Sequence, residues 1–477
     1  MPISRYLSSS FVAIAMLTTA TTLPVLANDH NTLNQGDLRT AEKLRDAALE
    51  ANSAYGILES LTTEVGPRLA GSEGDRRAIA WASAKFKELG FDRVWTETIT
   101  IPAWERISAS AATTAPWPQP MQITSLGHSV GTDADGIEAE IIHFATLADL
   151  MDAPAGAAEG KIVYISNRMN RAQDGSGYGP AVAARGAGAV EAAKKGAVAV
   201  LIRSIGTDSH RVPHTGMMRY AEGVTKIPAA ALSNPDADIL SAQIERGQPV
   251  RFHINMQNAF HGMVESANVI GEVTGSERPD EVIVLGSHLD SWDLGTGAID
   301  DGAGVAITMA AGEMIANMSE RPARSIRVIA FGAEEIGLWG GRQYADAHVA
   351  EIDKHIIGAE SDFGGDLIYG FAVNVREEAL PVVAQIAGVL KPLGIDFSGN
   401  DAGGGPDIQG LKSKGMAVAN LYQDGTRYFD LHHTADDTFD KIDEAQLRQN
   451  VAAYVAFGYL AAQYEGLFAR QNTGQTE

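Results

Sequence analysis

Over the second half of the chain, short apolar segments alternate with helical patterns. Residues 282–285, 326–331 and 356–359 have the length and composition of buried strands, whereas residues 305–318 and 338–349 show helical periodicity. Alternation of strand and helix is typical of a parallel sheet with helices on its faces. The sequence therefore predicts an α/β fold, with a mainly parallel mixed sheet flanked by helices.

Both ends of the chain carry patterns that fit this sheet. Residues 444–464 form a long helical pattern with its apolar residues on one face, which we expect to pack on the sheet. Near the N-terminus, Ser72 is a candidate N-cap of a helix that ends at Gly90. Alternating residues 94–101 then predict a strand that stops at Pro102.

The middle of the chain has a different composition and shorter predicted elements. Residues 108–120 are rich in Ala, Ser, Thr and Pro, which indicates a connector. A compact unit of short elements follows, and we interpret it as an insert because the residues on either side continue one pattern. Its predicted elements are strands at 137–144, 161–165, 197–202 and 227–232, and helices at 182–195 and after Pro235.

The first 27 residues are typical of a secretory signal peptide. Arg5 is the single charged residue before Asn28, the following segment is apolar, and Ala27 closes a small-residue cleavage pattern. The segment is short and interrupted by Pro24, which argues against a membrane span. We expect cleavage after Ala27 and export to the periplasm or outside the cell, with no membrane attachment afterwards.

Charge and cysteine content exclude several classes of function. The 477 residues include 60 acidic and 37 basic side chains, a net charge of −23, which argues against nucleic acid or anionic lipid as partners. The chain has no Cys, so a disulfide scaffold, a thiolate zinc site and a cysteine nucleophile are excluded.

Acidic residues and histidines follow the predicted strands where each strand ends. In open α/β sheets this edge is where ligands bind. One such acidic pair alone would be explained by a helix N-terminus, but with four clusters at one edge the crowded carboxylates would repel each other unless a cation lay between them. The clusters are His288 with Asp290 and, later in the same loop, Asp300 with Asp301; Glu334 with Glu335; Asp362; and His432 with His433.

These side chains form a set of nitrogen and oxygen donors suited to zinc or another divalent metal. Five candidate ligands exceed the three that one catalytic zinc ion normally takes, which favours two ions sharing a carboxylate. Two ions would stabilise a bridging hydroxide and polarise a substrate carbonyl. Of the adjacent Glu334 and Glu335, one can then bind metal while the other moves protons.

The motifs His-Leu-Asp, Gly-Ala-Ile-Asp-Asp-Gly-Ala-Gly, Ala-Glu-Glu-Ile-Gly-Leu, Glu-Ser-Asp and His-His-Thr resemble, in order, those of the co-catalytic zinc exopeptidases. That family includes bacterial leucyl-type aminopeptidases and glutamate carboxypeptidases, and its carboxypeptidase Q group is the most similar. The resemblance implies a catalytic domain in two parts, residues 28–115 and 258–477, around a protease-associated insert at 116–257.

The resemblance also implies a ligand set for two zinc ions per chain. The implied ligands are His288 and Asp362 for one ion, Glu335 and His433 for the other, and Asp300 as the bridge, with a cis peptide bond to Asp301.

Other roles are implied for neighbouring residues. Glu334 would be the general base and acid, and Asp290 would orient His288. His432 would face the substrate or support the ligand beside it. Two further histidines, His210 and His214, are predicted to lie on the surface.

Several functions remain open from the sequence. The main expectation is hydrolysis of short unblocked peptides or dipeptides, and the alternatives are a strict aminopeptidase, a non-catalytic transferrin-receptor-like binding protein, or a glutaminyl cyclase. Glu360 and Asp424 are candidates for binding a substrate ammonium group, whereas Lys412 and Arg427 are candidates for a carboxylate. A homodimer is a further expectation.

Overall fold

The computed structural model describes residues 32–469, so the predicted signal peptide lies outside the described residues. Within that range no helix is both long and apolar enough to cross a membrane. The helices are α1 Gln35–Glu50, α2 Ala54–Ser60, α3 Glu73–Glu88, α4 Leu147–Asp152, α5 Tyr178–Lys194, α6 Asn234–Ile244, α7 Ala303–Ala316, α8 Trp339–Ala347, α9 Leu380–Leu390, α10 Gln409–Ser413, α11 Tyr428–Leu431 and α12 Glu444–Gln463.

The strands belong to two linked sheets. They are β1 Arg93–Ala115, β2 Gln119–Met121, β3 Ile123–Ser125, β4 Ile137–Phe144, β5 Ile162–Ile165, β6 Ala199–Arg203, β7 Ala229–Leu232, β8 Arg251–Val273, β9 Arg278–His288, β10 Arg324–Phe331, β11 His355–Glu360, β12 Ile368–Asn374, β13 Asp396–Gly399 and β14 Ala417–Gln423.

The central sheet has the order β13-β12-β14-β11-β9-β10-β8. Its middle strands β14, β11, β9 and β10 run parallel, whereas β8 pairs antiparallel with β10 and β12 pairs antiparallel with β14. Ile283 and Leu285 of β9 pack against α7 and α12 on one face, while Val282 and Val284 pack with α8 and α10 on the other. The predicted mainly parallel mixed sheet flanked by helices is confirmed.

Strands β1 and β8 connect the central sheet to the second one. They pair antiparallel over most of their length, from Arg93 opposite Glu272 to Ala115 opposite Arg251, with three register shifts. The prediction that β1 ends at Pro102 and that a connector follows at 108–120 is therefore wrong. Pro102 is tolerated because β1 is an edge strand there and a bulge follows at residues 103 and 104.

The second sheet forms a smaller body, here called the small unit, made of β3–β7 and α4–α6. Strands β4, β5, β6 and β7 run parallel, β3 pairs antiparallel with β7, and β4 pairs with the first residues of β8. Helices α5 and α6 cover opposite faces of this sheet. The proposed domain boundaries at 115/116 and 257/258 stay a prediction, because β8 pairs with strands of both sheets and β1 pairs with β8 across both boundaries.

A buried arginine ties the N-terminal region to the long loop that follows β9. Ser72 caps α3 as predicted, its side chain accepting a hydrogen bond from the Asp75 backbone N–H. In the preceding loop, Arg68 is fully buried and its guanidinium donates to three backbone carbonyls. The acceptors are those of Leu289, Thr296 and Gly297. Arg68 therefore fixes the chain between His288 and Asp300.

Replacing Arg68 should destabilise the protein strongly. Arg68→Met leaves three buried carbonyls without their charged donor, which we expect to cost about 3–5 kcal/mol. Urea unfolding followed by tryptophan fluorescence would measure the loss. Arg76→Met, which removes an exposed ion pair with Glu73, should leave the midpoint nearly unchanged. Equal midpoints for the two variants would contradict the assigned role of Arg68.

Candidate metal centre

The predicted site residues converge at the carboxyl ends of the central strands. His288 is the last residue of β9, Glu334 and Glu335 follow β10, and Asp362 follows β11. Asp300 lies in the loop that leads into α7, and His433 follows α11. Because parallel strands present these ends at one edge, residues far apart in sequence meet there.

Asp300 lies between two pairs of side chains. Its Oδ1 is 3.1 Å from His288 Nε2, and the same nitrogen is 3.5 Å from Asp362 Oδ1. Its Oδ2 is 3.2 Å from His433 Nε2, which is 2.9 Å from Glu335 Oε2. The two oxygens of one carboxylate therefore face two different histidine–carboxylate pairs, the grouping that the resemblance implies for two ions.

Orphaned polar atoms show that these residues fit a divalent cation. Within residues 32–469, Asp300 Oδ2 and Glu335 Oε1 are buried and lack a hydrogen-bond donor. Buried carboxylate oxygens without donors are costly unless a cation compensates them. Groups drawn from Asp300, His288, Glu335, His432 and His433 place donor atoms within 4.8 Å of one another. The donor set of imidazole nitrogens and carboxylate oxygens suits zinc-like ions.

The crowding of acids also appears in their pKa values. Burial raises the pKa of Glu335 well above its usual value, and the nearby charge of Asp300 raises it further. Burial likewise raises the pKa of Asp362. Burial opposes ionisation of Asp300 too, but the neighbouring imidazoles of His288 and His433 hold its pKa well below the usual value. Of these three carboxyl groups, Asp300 is thus the one whose pKa is lowered.

Backbone contacts hold Asp300 in place. The Asp300–Asp301 peptide bond is cis, as the resemblance implies. The Asp301 carboxylate accepts from the N–H groups of His288 and Gly304. Asp437, which sequence reasoning missed, accepts from the N–H groups of Ile299 and Asp300. The carboxylates of Asp301 and Asp437 therefore fix the backbone around Asp300.

Asp290 connects two ligand-bearing loops. Its carboxylate accepts from the backbone N–H groups of Glu334 and Glu335, at 3.0 and 3.3 Å. His288 Nδ1 lies 3.0 Å from the Asp290 carbonyl oxygen and 3.7 Å from Asp290 Oδ1. In this geometry the backbone of Asp290 is the closer contact to His288, while its side chain holds the loop after β10.

The site opens into a cavity of about 730 Å³. Glu334 lines this cavity with the metal-centre residues Asp300, Glu335, Asp362 and His433, and the small unit contributes Tyr178, Arg185, Met217 and Arg219 to the lining. Burial raises the pKa of Glu334 well above its usual value, and the neighbouring acids raise it further. The volume lies in the range of small-molecule sites.

Comparisons with known proteins agree with this geometry. Residues 268–457 match the family model described as Peptidase family M28. Carboxypeptidase Q of Mus musculus is 36% identical over 421 residues, which cover 88% of this chain and 87% of that protein. The chain belongs to peptidase family M28. The predicted family and the predicted class, a metallo-exopeptidase, are thereby confirmed.

Solved structures support the same assignment. A Peptidase M28 precursor from Shewanella amazonensis SB2B is 50% identical to this M28 peptidase, with a TM-score of 0.89 over 91% of this chain and 98% of that chain. BSAP, described as a zinc aminopeptidase from Bacillus subtilis, is 20% identical with a TM-score of 0.62 over 87% of this chain and 97% of that chain, and shares the fold.

The four candidates for binding a substrate terminus do not line the main cavity. Glu360 accepts from the N–H groups of Asp407 and Ile408. Asp424 accepts hydrogen bonds from the Thr426 N–H and the Gln173 side chain. Arg427 forms an ion pair with Asp366, and Lys412 donates to the Ala402 carbonyl. The cationic residues that do line the cavity of this M28 peptidase are Arg185 and Arg219. Sequence reasoning missed both, because no motif marks them.

The two histidines that were predicted to lie on the surface, His210 and His214, differ in their exposure. His210 is exposed and lies 3.1 Å from Asp436, in agreement with its prediction. The surface prediction for His214 is wrong: its side chain is 1% exposed. It contacts the carbonyl oxygen of His432, whose ring stacks on that of His433 at 3.5 Å between centroids. A lone histidine carries no sequence signal that distinguishes these environments.

Removing Asp300 should release metal from this M28 peptidase. Asp300→Ala deletes the carboxylate that faces both pairs, so we expect the metal content per chain to fall by at least half, together with activity. Elemental analysis of protein dialysed against trace zinc would measure it. Asp346→Ala, which removes an exposed acid on α8, is the matched control. Unchanged zinc in the Asp300 variant would contradict the bridging role.

Proposed function

We propose that this M28 peptidase is a zinc-dependent exopeptidase that hydrolyses short unblocked peptides, including dipeptides, with two zinc ions per chain. The observation that supports it is Asp300, whose two oxygens face separate histidine–carboxylate pairs. Zinc is favoured because the donors are nitrogen and oxygen and because the fold neighbour BSAP is described as a zinc enzyme.

In this proposal the ligands are the residues that the geometry groups. His288 and Asp362 would hold one ion, Glu335 and His433 the other, and Asp300 both. When bound, the ions would supply Lewis-acid polarisation of the scissile carbonyl and make water more acidic. The side chains contribute the neutralising charge and a fixed, buried geometry.

Glu334 is the proton carrier in the proposed mechanism. It lines the cavity beside the ligands, and no hydrogen-bond partner of its carboxylate is found in the described part of the chain. Its raised pKa, caused by burial and by Asp362 and Glu335, suits a group that must accept and return a proton. Water adds to the carbonyl carbon and one of its protons passes to a Glu334 carboxylate oxygen. The same proton then goes to the amide nitrogen as the C–N bond breaks, which releases the amine and leaves the other product as a carboxylic acid.

Recognition of the substrate terminus is assigned to the small unit. Arg219 is exposed in the cavity and forms no ion pair with any residue in 32–469. A free guanidinium favours the C-terminal carboxylate of a peptide. This favours removal of C-terminal residues or cleavage of dipeptides. The aminopeptidase alternative keeps support from Bacillus subtilis Aminopeptidase YwaD, 25% identical over 435 residues (88% of this chain and 87% of that protein).

Three further expectations belong to the same proposal. The protein is exported to the periplasm or beyond, because residues 1–27 have signal-peptide composition. The small unit is a protease-associated domain. Short peptides are the partners, with no nucleic acid and no membrane, and the chain forms a homodimer in solution.

Glu334→Gln should separate metal binding from catalysis. The amide has the same shape but cannot carry the proton, so we expect turnover to fall by about 10³-fold while the zinc content stays at the wild-type value. Dipeptide hydrolysis and elemental analysis on the same preparation would measure both. A chelator should abolish wild-type activity and added zinc restore it. Near-normal turnover of the variant would exclude Glu334 as the proton carrier.

Blocking each end of one peptide should reveal the direction of cleavage. We expect C-terminal amidation to lower kcat/KM by about 10–100-fold, because a charge-assisted contact with Arg219 is lost. Arg219→Gln should raise KM for the free peptide by a similar factor and leave the amidated peptide unaffected. Rapid cleavage of the amide, together with no cleavage of the N-acetyl peptide, would instead establish an aminopeptidase.

A further inference from the structure

A segment of the small unit lies along the loop that carries His433. We call residues 428–437 the ligand loop. Thr207 N–H donates to the Phe429 carbonyl at 3.0 Å, and Thr215 N–H donates to the His433 carbonyl at 3.0 Å. The Thr207 hydroxyl also donates to Asp430. These contacts join the ligand loop to the small unit along much of its length.

A further contact with Thr215 determines which ring nitrogen of His433 carries the hydrogen. His433 Nδ1 lies 3.2 Å from the carbonyl oxygen of Thr215. Because a carbonyl oxygen only accepts, Nδ1 carries the hydrogen in this contact. Nε2, which faces Asp300 and Glu335, is then left with its lone pair free. Ligand histidines are generally oriented by such a contact at their other nitrogen.

The neighbouring His214 is held on both sides. Its Nδ1 lies 2.8 Å from the His432 carbonyl oxygen, and its Nε2 lies 2.7 Å from Asp208 Oδ1. Both partners are oxygen atoms, one of a backbone carbonyl and one of a carboxylate, so the ring is held at both nitrogens. The side chain of Asp208 is 0% exposed, and its other contacts come from Asn234 and the His210 N–H.

The packing around His214 leaves no room for larger neighbours. A Cβ atom at Gly206 would lie 2.2 Å from His214 Cε1, so only glycine fits there. His214 N–H also donates to the Ser204 hydroxyl. The imidazole is therefore fixed within the small unit while it contacts the ligand loop.

We propose that the Asp208–His214 pair is a positioning device for the metal centre. Asp208 holds the His214 ring, His214 holds the His432 carbonyl, and the adjoining Thr215 carbonyl orients the His433 ring. The small unit thus supplies part of the environment of a metal ligand, in addition to one wall of the cavity. This inference rests on the proposed metal centre, because His433 must bind metal for its orientation to matter.

Asp208→Asn tests the proposal with almost no change of shape. We expect the dissociation constant for zinc, measured by competition with a chromogenic chelator, to rise by about 10–100-fold. The visible absorption spectrum of the Co²⁺-substituted protein should also change, because it reports the ligand geometry. His214→Gln, which can keep only one of the two contacts, should act in the same direction. In both variants kcat should fall while KM for a dipeptide stays constant.

Asp238→Asn is the matched control. Asp238 is also an acid of the small unit and pairs with Arg168 and Arg203, away from the ligand loop. It should keep wild-type zinc affinity and spectrum. Lower unfolding midpoints for the Asp208 and His214 variants with unchanged zinc affinity and Co²⁺ spectrum would overturn the proposal, since the pair would then only stabilise the small unit. Failure of the wild-type protein to bind zinc at all would instead refute the proposed function.

Discussion

The carboxylate of Asp300 is the point on which the rest of the site depends. It is buried with Glu335, Asp362 and two histidines near its oxygens, and one of those oxygens has no hydrogen-bond donor in the described residues. Burial, and after it the charge of Asp300, raises the pKa values of Glu335 and Asp362, because like charges are unfavourable at such distances in a buried site. A cation bound between these carboxylates would compensate their negative charges. Metal binding would then also stabilise the folded structure around the site.

The fold maintains this arrangement through backbone contacts made by charged side chains. Arg68 holds the loop before Asp300, and Asp437 holds the N–H of Asp300 itself. Burial raises the pKa of Asp437 to about 7, and the charge of Asp300 adds to the shift. Asp290 fixes the loop after β10 in the same way. These charged side chains next to the candidate ligands thus form hydrogen bonds with backbone N–H and carbonyl groups. An apolar side chain in the same place would leave those backbone groups unpaired.

That the candidate ligands lie together could be predicted because most of them follow apolar strands, and parallel strands bring such residues to one edge. His214 could not be predicted, because its contact joins two segments separated by 218 residues and follows no periodicity. The predicted end of strand β1 at Pro102 is wrong for a related reason. Whether a proline interrupts a strand depends on its partner, and the pairing of β1 with β8 lies far away in sequence. Local pattern therefore identifies donors, but not the contacts that orient them.

The acids and the cations of the cavity come from different parts of the fold. The central sheet provides the carboxylates, whereas Arg185 and Arg219 come from the small unit. Arg185 is buried against Tyr178 and has no acidic partner among the described residues, and its guanidinium lies 3.5 Å from His433 Nδ1. Because β8 pairs with β10 of the central sheet and with β4 of the small unit, the two parts are joined through one continuous strand. A change in the small unit should therefore affect both the orientation of His433, the proposed metal ligand, and the proposed binding of the substrate terminus by Arg219.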